Sequence, residues 1–121
     1  MGEWRLEPTE TYIRDLQDYS KKCPEELAAV LNNLDTYFRA LFRLGNPMQI
    51  TGGFIHNESD GIKGIDQKGS KRKLTETRLY VYPDTHAKRL YLLMIGTKKA
   101  QRQDISNCRD VVRKLRKTRG Y

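Results

Sequence analysis

Apolar residues along this chain alternate in some stretches and return every three to four positions in others. The two patterns predict different elements. Residues 4–7 alternate and stop at Pro8, which predicts a short strand at a sheet edge. Thr9 is placed to cap a helix. Ile13, Leu16 and Tyr19 follow at helical spacing, and Lys21 and Lys22 then put positive charge at that helix's negative end. Cys23-Pro24-Glu25-Glu26 opens a second helix: proline fits its first position and the glutamates its first turn. Leu27, Val30, Leu31, Leu34, Tyr37, Phe38, Leu41 and Phe42 give the strongest helical period in the chain, ended by Gly45-Asn46-Pro47. Almost nothing joins the two helices. They therefore predict an antiparallel αα-hairpin whose aromatic stripe is core.

The second half carries the strands. Phe54-Ile55-His56 and Ile62-Lys63-Gly64-Ile65 predict one or two short strands with a turn over residues 57–61. Lys68-Gly69-Ser70-Lys71-Arg72-Lys73 holds no apolar residue and reads as a flexible basic loop. Residues 77–82 predict a strand with Leu79 and Val81 on one face and Arg78, Tyr80 and Tyr82 on the other. Pro83-Asp84-Thr85-His86 is turn chemistry, and residues 90–95 form a nearly continuous apolar run, as expected of a central strand covered on both faces. The short connection makes these last two strands antiparallel neighbours. A closing helix over residues 101–117 carries Ile105, Cys108, Val112 and Leu115, with Arg102, Arg109, Arg113 and Arg116 in a stripe beside them. The order predicts an α+β domain: a first strand and an αα-hairpin packed on a small antiparallel sheet, then a C-terminal helix. The 121 residues suffice for one core, so residues 1–121 are read as one domain.

Charge changes the picture. The net charge is +8, yet residues 1–66 hold 7 Lys/Arg against 11 Asp/Glu, and residues 67–121 hold 16 against 4. Solubility needs no such segregation, so it points to a polyanionic partner. No apolar run approaches a membrane span, and the N-terminus lacks the pattern of a secretion signal. An intracellular, cytoplasmic protein with no membrane partner is expected. Cys23 and Cys108 form no CxxC spacing and are read as free thiols, and the acidic residues show no metal-ligand spacing. With no Walker loop, no GxGxxG after a strand and no HExxH, neither a metal nor a small-molecule cofactor is expected.

Three basic clusters remain as candidate chemistry. They are the loop Lys68, Lys71, Arg72 and Lys73; the strand face Arg78 with Tyr80 and Tyr82; and Lys98, Lys99 and Arg102 at the end of the central strand. The hairpin brings Arg78 toward Lys98 and Lys99. Guanidinium grips phosphate and tyrosine rings stack on unpaired bases, which suits RNA; cross-strand packing of Tyr80 and Tyr82 under a helix is the competing reading. Cleavage by a neighbouring 2′-hydroxyl needs a proton acceptor, positive charge on the phosphate and a proton donor. His56, on a predicted strand, is placed to reach such a site; His86, after a turn, is read as exposed.

Gly96-Thr97-Lys98-Lys99-Ala100-Gln101 followed by Asp104-Ile105 resembles the segment before the closing helix of RelE/HigB-like toxins, from bacterial type II toxin–antitoxin modules (the RelE/ParE superfamily). Gly53-Phe54-Ile55-His56-Asn57 through Gly64-Ile65-Asp66-Gln67-Lys68-Gly69 and Thr77-Arg78-Leu79-Tyr80-Val81-Tyr82-Pro83-Asp84 are similar to a subgroup of the same toxins. The resemblance implies a microbial RNase-like sheet, metal-independent cleavage of messenger RNA on the ribosome, and neutralisation by an acidic antitoxin protein. It implies a catalytic set of Arg78, Tyr80, Lys98, Lys99 and His56, with Lys68, Lys71, Arg72, Lys73 and Arg102 binding RNA. Active members often place a histidine or tyrosine near the C-terminus, where this chain has Tyr121. Some relatives of the fold inhibit DNA gyrase instead, and a non-catalytic RNA-binding module is a further alternative.

Overall fold

Thr9 ends the first strand and starts the first helix. Its extended backbone turns the chain, and its hydroxyl oxygen accepts from the Tyr12 N–H at 3.1 Å, satisfying one of the helix's orphan donors. The same hydroxyl lies 3.0 and 2.9 Å from the carbonyls of Leu92 and Leu93, so the cap is also tied to the central strand. The computed structural model describes residues 3–69 and 73–118. Among these are β1 (Arg5–Pro8), α1 (Glu10–Lys22), α2 (Pro24–Leu44), β2 (Ile55–Asn57), β3 (Lys63–Asp66), β4 (Thr77–Asp84), β5 (Arg89–Thr97) and α3 (Gln101–Thr118). Proline opens α2, and Gly45 ends it with a φ of 75°, its N–H returning to the Leu41 carbonyl at 2.8 Å.

The sheet runs in the order β1-β5-β4-β3-β2. It is mixed, not antiparallel throughout: β1 pairs in parallel with β5, through Arg5↔Arg89 to Pro8↔Leu92. Everything between the first and last strands serves as the crossover that a parallel pair requires. β4 is also longer than the alternation of residues 77–82 suggests. It continues to Asp84, whose carboxylate accepts from the Ala87 N–H at 3.2 Å and so builds the turn from the strand's last residue. Pro83 is tolerated because β3 accompanies β4 only as far as Val81, leaving that side of the strand without a partner to disappoint.

Two apolar layers sandwich the sheet. On one face, Tyr12, Val30, Tyr37 and Leu41 of the αα-hairpin pack on Ile65, Leu79, Val81 and Ile95. On the other, Cys108 and Val112 of α3 cover Tyr80, Tyr82, Tyr91 and Leu93. A bulge on β5 makes the second layer possible. Tyr80 opposes Met94 and Val81 opposes Leu92, so Leu93 is the extra residue, and Leu93 and Met94 both turn toward α3. Each fully buried Leu, Val or Ile contributes about 1.5–3 kcal/mol relative to exposure. Among the described residues no helix is long and apolar enough to cross a membrane.

Candidate functional site

The register of three strands assembles a pocket on the α3 side of the sheet. Asp66 at the end of β3 stands opposite Arg78 on β4, which stands opposite Gly96 on β5. His56 on β2 faces Gly64, placing it diagonal to Asp66 on the same surface. These side chains line a cavity of about 250 Å³ with Gln67, Lys68, Glu76 and Lys98. Its walls are braced from behind. Gln67 Oε1 accepts from the Thr77 N–H at 2.9 Å. Asn33, buried in α2, donates through Nδ2 to the carbonyls of Asp66 and Lys68, each at 2.9 Å.

His56 Nε2 lies 2.6 Å from Oδ2 of Asp66. The carboxylate's other oxygen accepts from the Lys68 backbone N–H at 2.8 Å, and the Lys68 ammonium is 4.0 Å from Oδ2. A carboxylate has only acceptors to offer, so the imidazole donates through Nε2 and a neutral ring carries its lone pair on Nδ1. This is a histidine–carboxylate pair of the kind used to orient a general base. The cations beside it are also matched. Lys98 Nζ is 3.2 Å from Glu76, and Arg78 Nη1 is 3.5 Å from Glu58 Oε1. Each cation of the pocket therefore stands against an acid.

The structure brings His56, Lys68, Arg78 and Lys98 into this one cavity. Lys99 and Arg102 lie beside it, around a shallower depression of about 520 Å³ that shares Lys98 and is closed by Gln101 and Ile105. Lys73 is exposed ahead of β4 and does not line the pocket. Lys71, Arg72 and Tyr121 lie outside the described residues. Among the described residues, Lys73, Lys99 and Arg102 enter no ion pair, in contrast to Lys68, Arg78 and Lys98 of the pocket.

Tyr80 is corrected. Its side chain is fully buried beneath α3 and its hydroxyl has no hydrogen-bond partner. Burial, with Asp104 nearby, pushes that hydroxyl well above the ordinary tyrosine range. Neither base stacking nor proton transfer is open to it, because α3 covers the face on which the alternation placed it. The arginine stripe of α3 also has an internal use. Arg109 Nε donates to Asp60 Oδ2 at 3.0 Å, Arg113 approaches the same oxygen at 3.9 Å, and Arg116 donates to the Asp60 carbonyl at 3.2 Å while lying over the Tyr82 ring. His86 is exposed, on the turn between β4 and β5.

Asp66, Glu58, Glu76 and Asn33 are the residues that the sequence reading missed. For Asp66 the signal existed: a turn over residues 57–61 fixes the β2–β3 register and with it the diagonal to His56. Among the described residues, no group of three or more His, Cys, Asp or Glu is arranged to hold a metal ion. Comparison of the chain with protein-family models, with curated proteins and with solved structures finds no match.

Proposed function

We propose that this chain is a toxin-type endoribonuclease of the RelE/HigB kind, cutting messenger RNA without a metal ion. The observation that carries the reading is the His56–Asp66 pair set in one pocket with Arg78, Lys98 and Lys68. In this reading, neutral His56 takes the proton of a ribose 2′-hydroxyl. The freed oxygen attacks the adjacent phosphorus, and Arg78 and Lys98 neutralise the charge that builds on the phosphoryl oxygens. The bond to the 5′-oxygen breaks, leaving a 2′,3′-cyclic phosphate, and the Lys68 ammonium returns a proton to that oxygen. Lys99, Arg102 and Lys73 hold flanking phosphates, with Lys71 and Arg72 extending the same basic segment. Action on the ribosome in the cytoplasm, and an acidic protein antitoxin, belong to the same proposal.

The test is cleavage of single-stranded and translated RNA by the purified chain in chelator, together with growth arrest on induced expression. Replacing His56 by Ala should lower cleavage about 10²–10⁴-fold, and the Lys98→Ala/Lys99→Ala double variant should relieve the growth arrest. Undiminished cleavage by both variants refutes the site. A second reading, RNA binding without cleavage, is favoured by the acid matched to each cation of the pocket. It predicts salt-sensitive binding with intact RNA.

A further inference from the structure

We infer that Glu58 is a built-in competitor for the phosphate that Arg78 would grip, so that RNA binds this pocket by exchanging a phosphate for a carboxylate. The inference rests on the RNA reading above and adds a residue and a mode of regulation to it. Arg78 and Glu58 are both largely shielded, with side chains 12% and 13% exposed, and each is the other's nearest charge at 3.5 Å. That separation is well beyond the roughly 2.7–2.9 Å of a full charge-assisted hydrogen bond. The carboxylate neutralises the guanidinium without engaging it firmly, and such a contact yields to a phosphate able to take the guanidinium's fork with two oxygens.

The surroundings let only the Glu58 side chain move. Its backbone N–H donates to the Ile62 carbonyl at 2.8 Å, and the single 3₁₀ turn that follows, Ser59–Gly61, is held down by α3. Asp60, at a φ of 58°, is the post to which Arg109, Arg113 and Arg116 are tied. Gly64, on the strand between them, puts no side chain in the carboxylate's path; a Cβ there would stand 3.5 Å from Glu58 Oε1. The turn is thus a fixed mount and Glu58 a side chain that swings from it. Exchange also changes how the site responds to salt. A phosphate that replaces a carboxylate on Arg78 sheds a counterion, while the freed carboxylate gathers one, and the two effects cancel.

The experiment is the affinity of the full chain for a fluorescent single-stranded RNA, 2′-O-methylated throughout so that it cannot be cut, measured against NaCl concentration. Glu58→Gln should steepen the slope of log Kd against log salt by about 0.7, one more phosphate on a single strand, and tighten binding about fivefold at 0.1 M salt. Arg78→Gln should leave the wild-type slope unchanged yet abolish the gain in the Glu58→Gln background. Glu58→Asp, which withdraws the carboxylate while keeping the charge, should lie between wild type and Glu58→Gln and serves if the latter fails to fold. Binding that is present but unaltered by either Glu58 variant, or a wild-type slope that falls by about 0.7 in Arg78→Gln, overturns the exchange and leaves the RNA reading standing. No binding by any variant overturns both.

Discussion

Replacing Asp66 by Asn tests the pocket at the one atom pair its chemistry needs. Asp66 is 6% exposed and spends both carboxylate oxygens as acceptors, one for His56 Nε2 at 2.6 Å and one for the Lys68 N–H at 2.8 Å. Asparagine has the same shape but one acceptor. Its amide nitrogen must face either the backbone N–H, donor against donor, or the imidazole, whose proton must then move from Nε2 to Nδ1. A hydrogen bond to a charged group contributes about 1.5–3 kcal/mol. Losing one and weakening the other should cost about 2–4 kcal/mol, or roughly 6–16 °C in Tm for a chain of this size. Thermal melts of wild type, Asp66→Asn, His56→Ala and the double variant give the coupling between the two residues directly. A coupling of about 1 kcal/mol or more is expected. In a cleavage assay the same substitution should cut kcat about a hundredfold or more, by forcing the proton onto the wrong imidazole nitrogen. Binding of a 2′-O-methylated RNA should change far less. If Asp66→Asn melts within about a degree of wild type, or its loss is the same with and without His56, the pair is not a unit and the reasoning fails.

Asp60→Ala removes the post that α3 grips; because the groups are partly exposed the loss is discounted to about 1–2 kcal/mol. Melts should show a Tm lower by roughly 3–8 °C, and the loss should vanish in an Arg109→Ala/Arg113→Ala background. Tyr80→Phe deletes a buried hydroxyl with no partner, so the melting temperature should hold or rise and RNA binding should stay unchanged; a clear drop in either would show that the hydroxyl has a role. Asp15 and Asp104 both have carboxyls raised above their ordinary value by burial, although at Asp15 a backbone bond from Ile95 at 3.0 Å and the Arg14 charge work the other way. In the window between the unfolded value and the raised ones the folded chain holds more protons than the unfolded chain, so these groups stabilise as pH falls from neutral and destabilise as it rises. Melts from pH 7 down toward the ordinary carboxyl value, about pH 4, should therefore shift less in Asp104→Asn than in wild type, and an equal shift would remove Asp104 from the account.

The helices and the β4–β5 hairpin were legible because their signals are local. Helical period, a proline at N1, a glycine beyond the C-terminus and a short turn are all written within a few residues of where they act. The parallel pairing of β1 with β5 was not legible, since it joins residues more than eighty positions apart and alternation does not say which strand is the neighbour. Tyr80 shows the same limit on a smaller scale. Its strand face was correctly separated from that of Leu79 and Val81, but only the placement of α3 decides whether that face meets solvent or a helix.

The charge segregation carries a deeper lesson. The acidic first half and basic second half look, in one dimension, like an anionic scaffold followed by a cationic tail. The fold folds one onto the other. Glu58 and Asp60 of the β2–β3 turn and Asp66 at the end of β3 all come from the acidic half. They stand against Arg78, Lys68, Arg109 and Arg113 from the basic half. A surplus of 12 positive charges over residues 67–121 therefore does not make a uniformly positive face. It makes a pocket whose cations are held in register by local acids, rimmed by Lys99 and Arg102, which have none. On the RNA reading proposed above, a polyanion meets the rim first, drawn by unpaired charge, and enters the pocket by displacing carboxylates already seated there. Affinity should then be set largely at the rim and selectivity at the pocket. Charge removed from Lys99 or Arg102 should weaken binding of any single strand alike, whereas changes at Arg78 or Glu58 should alter which phosphate geometry is accepted.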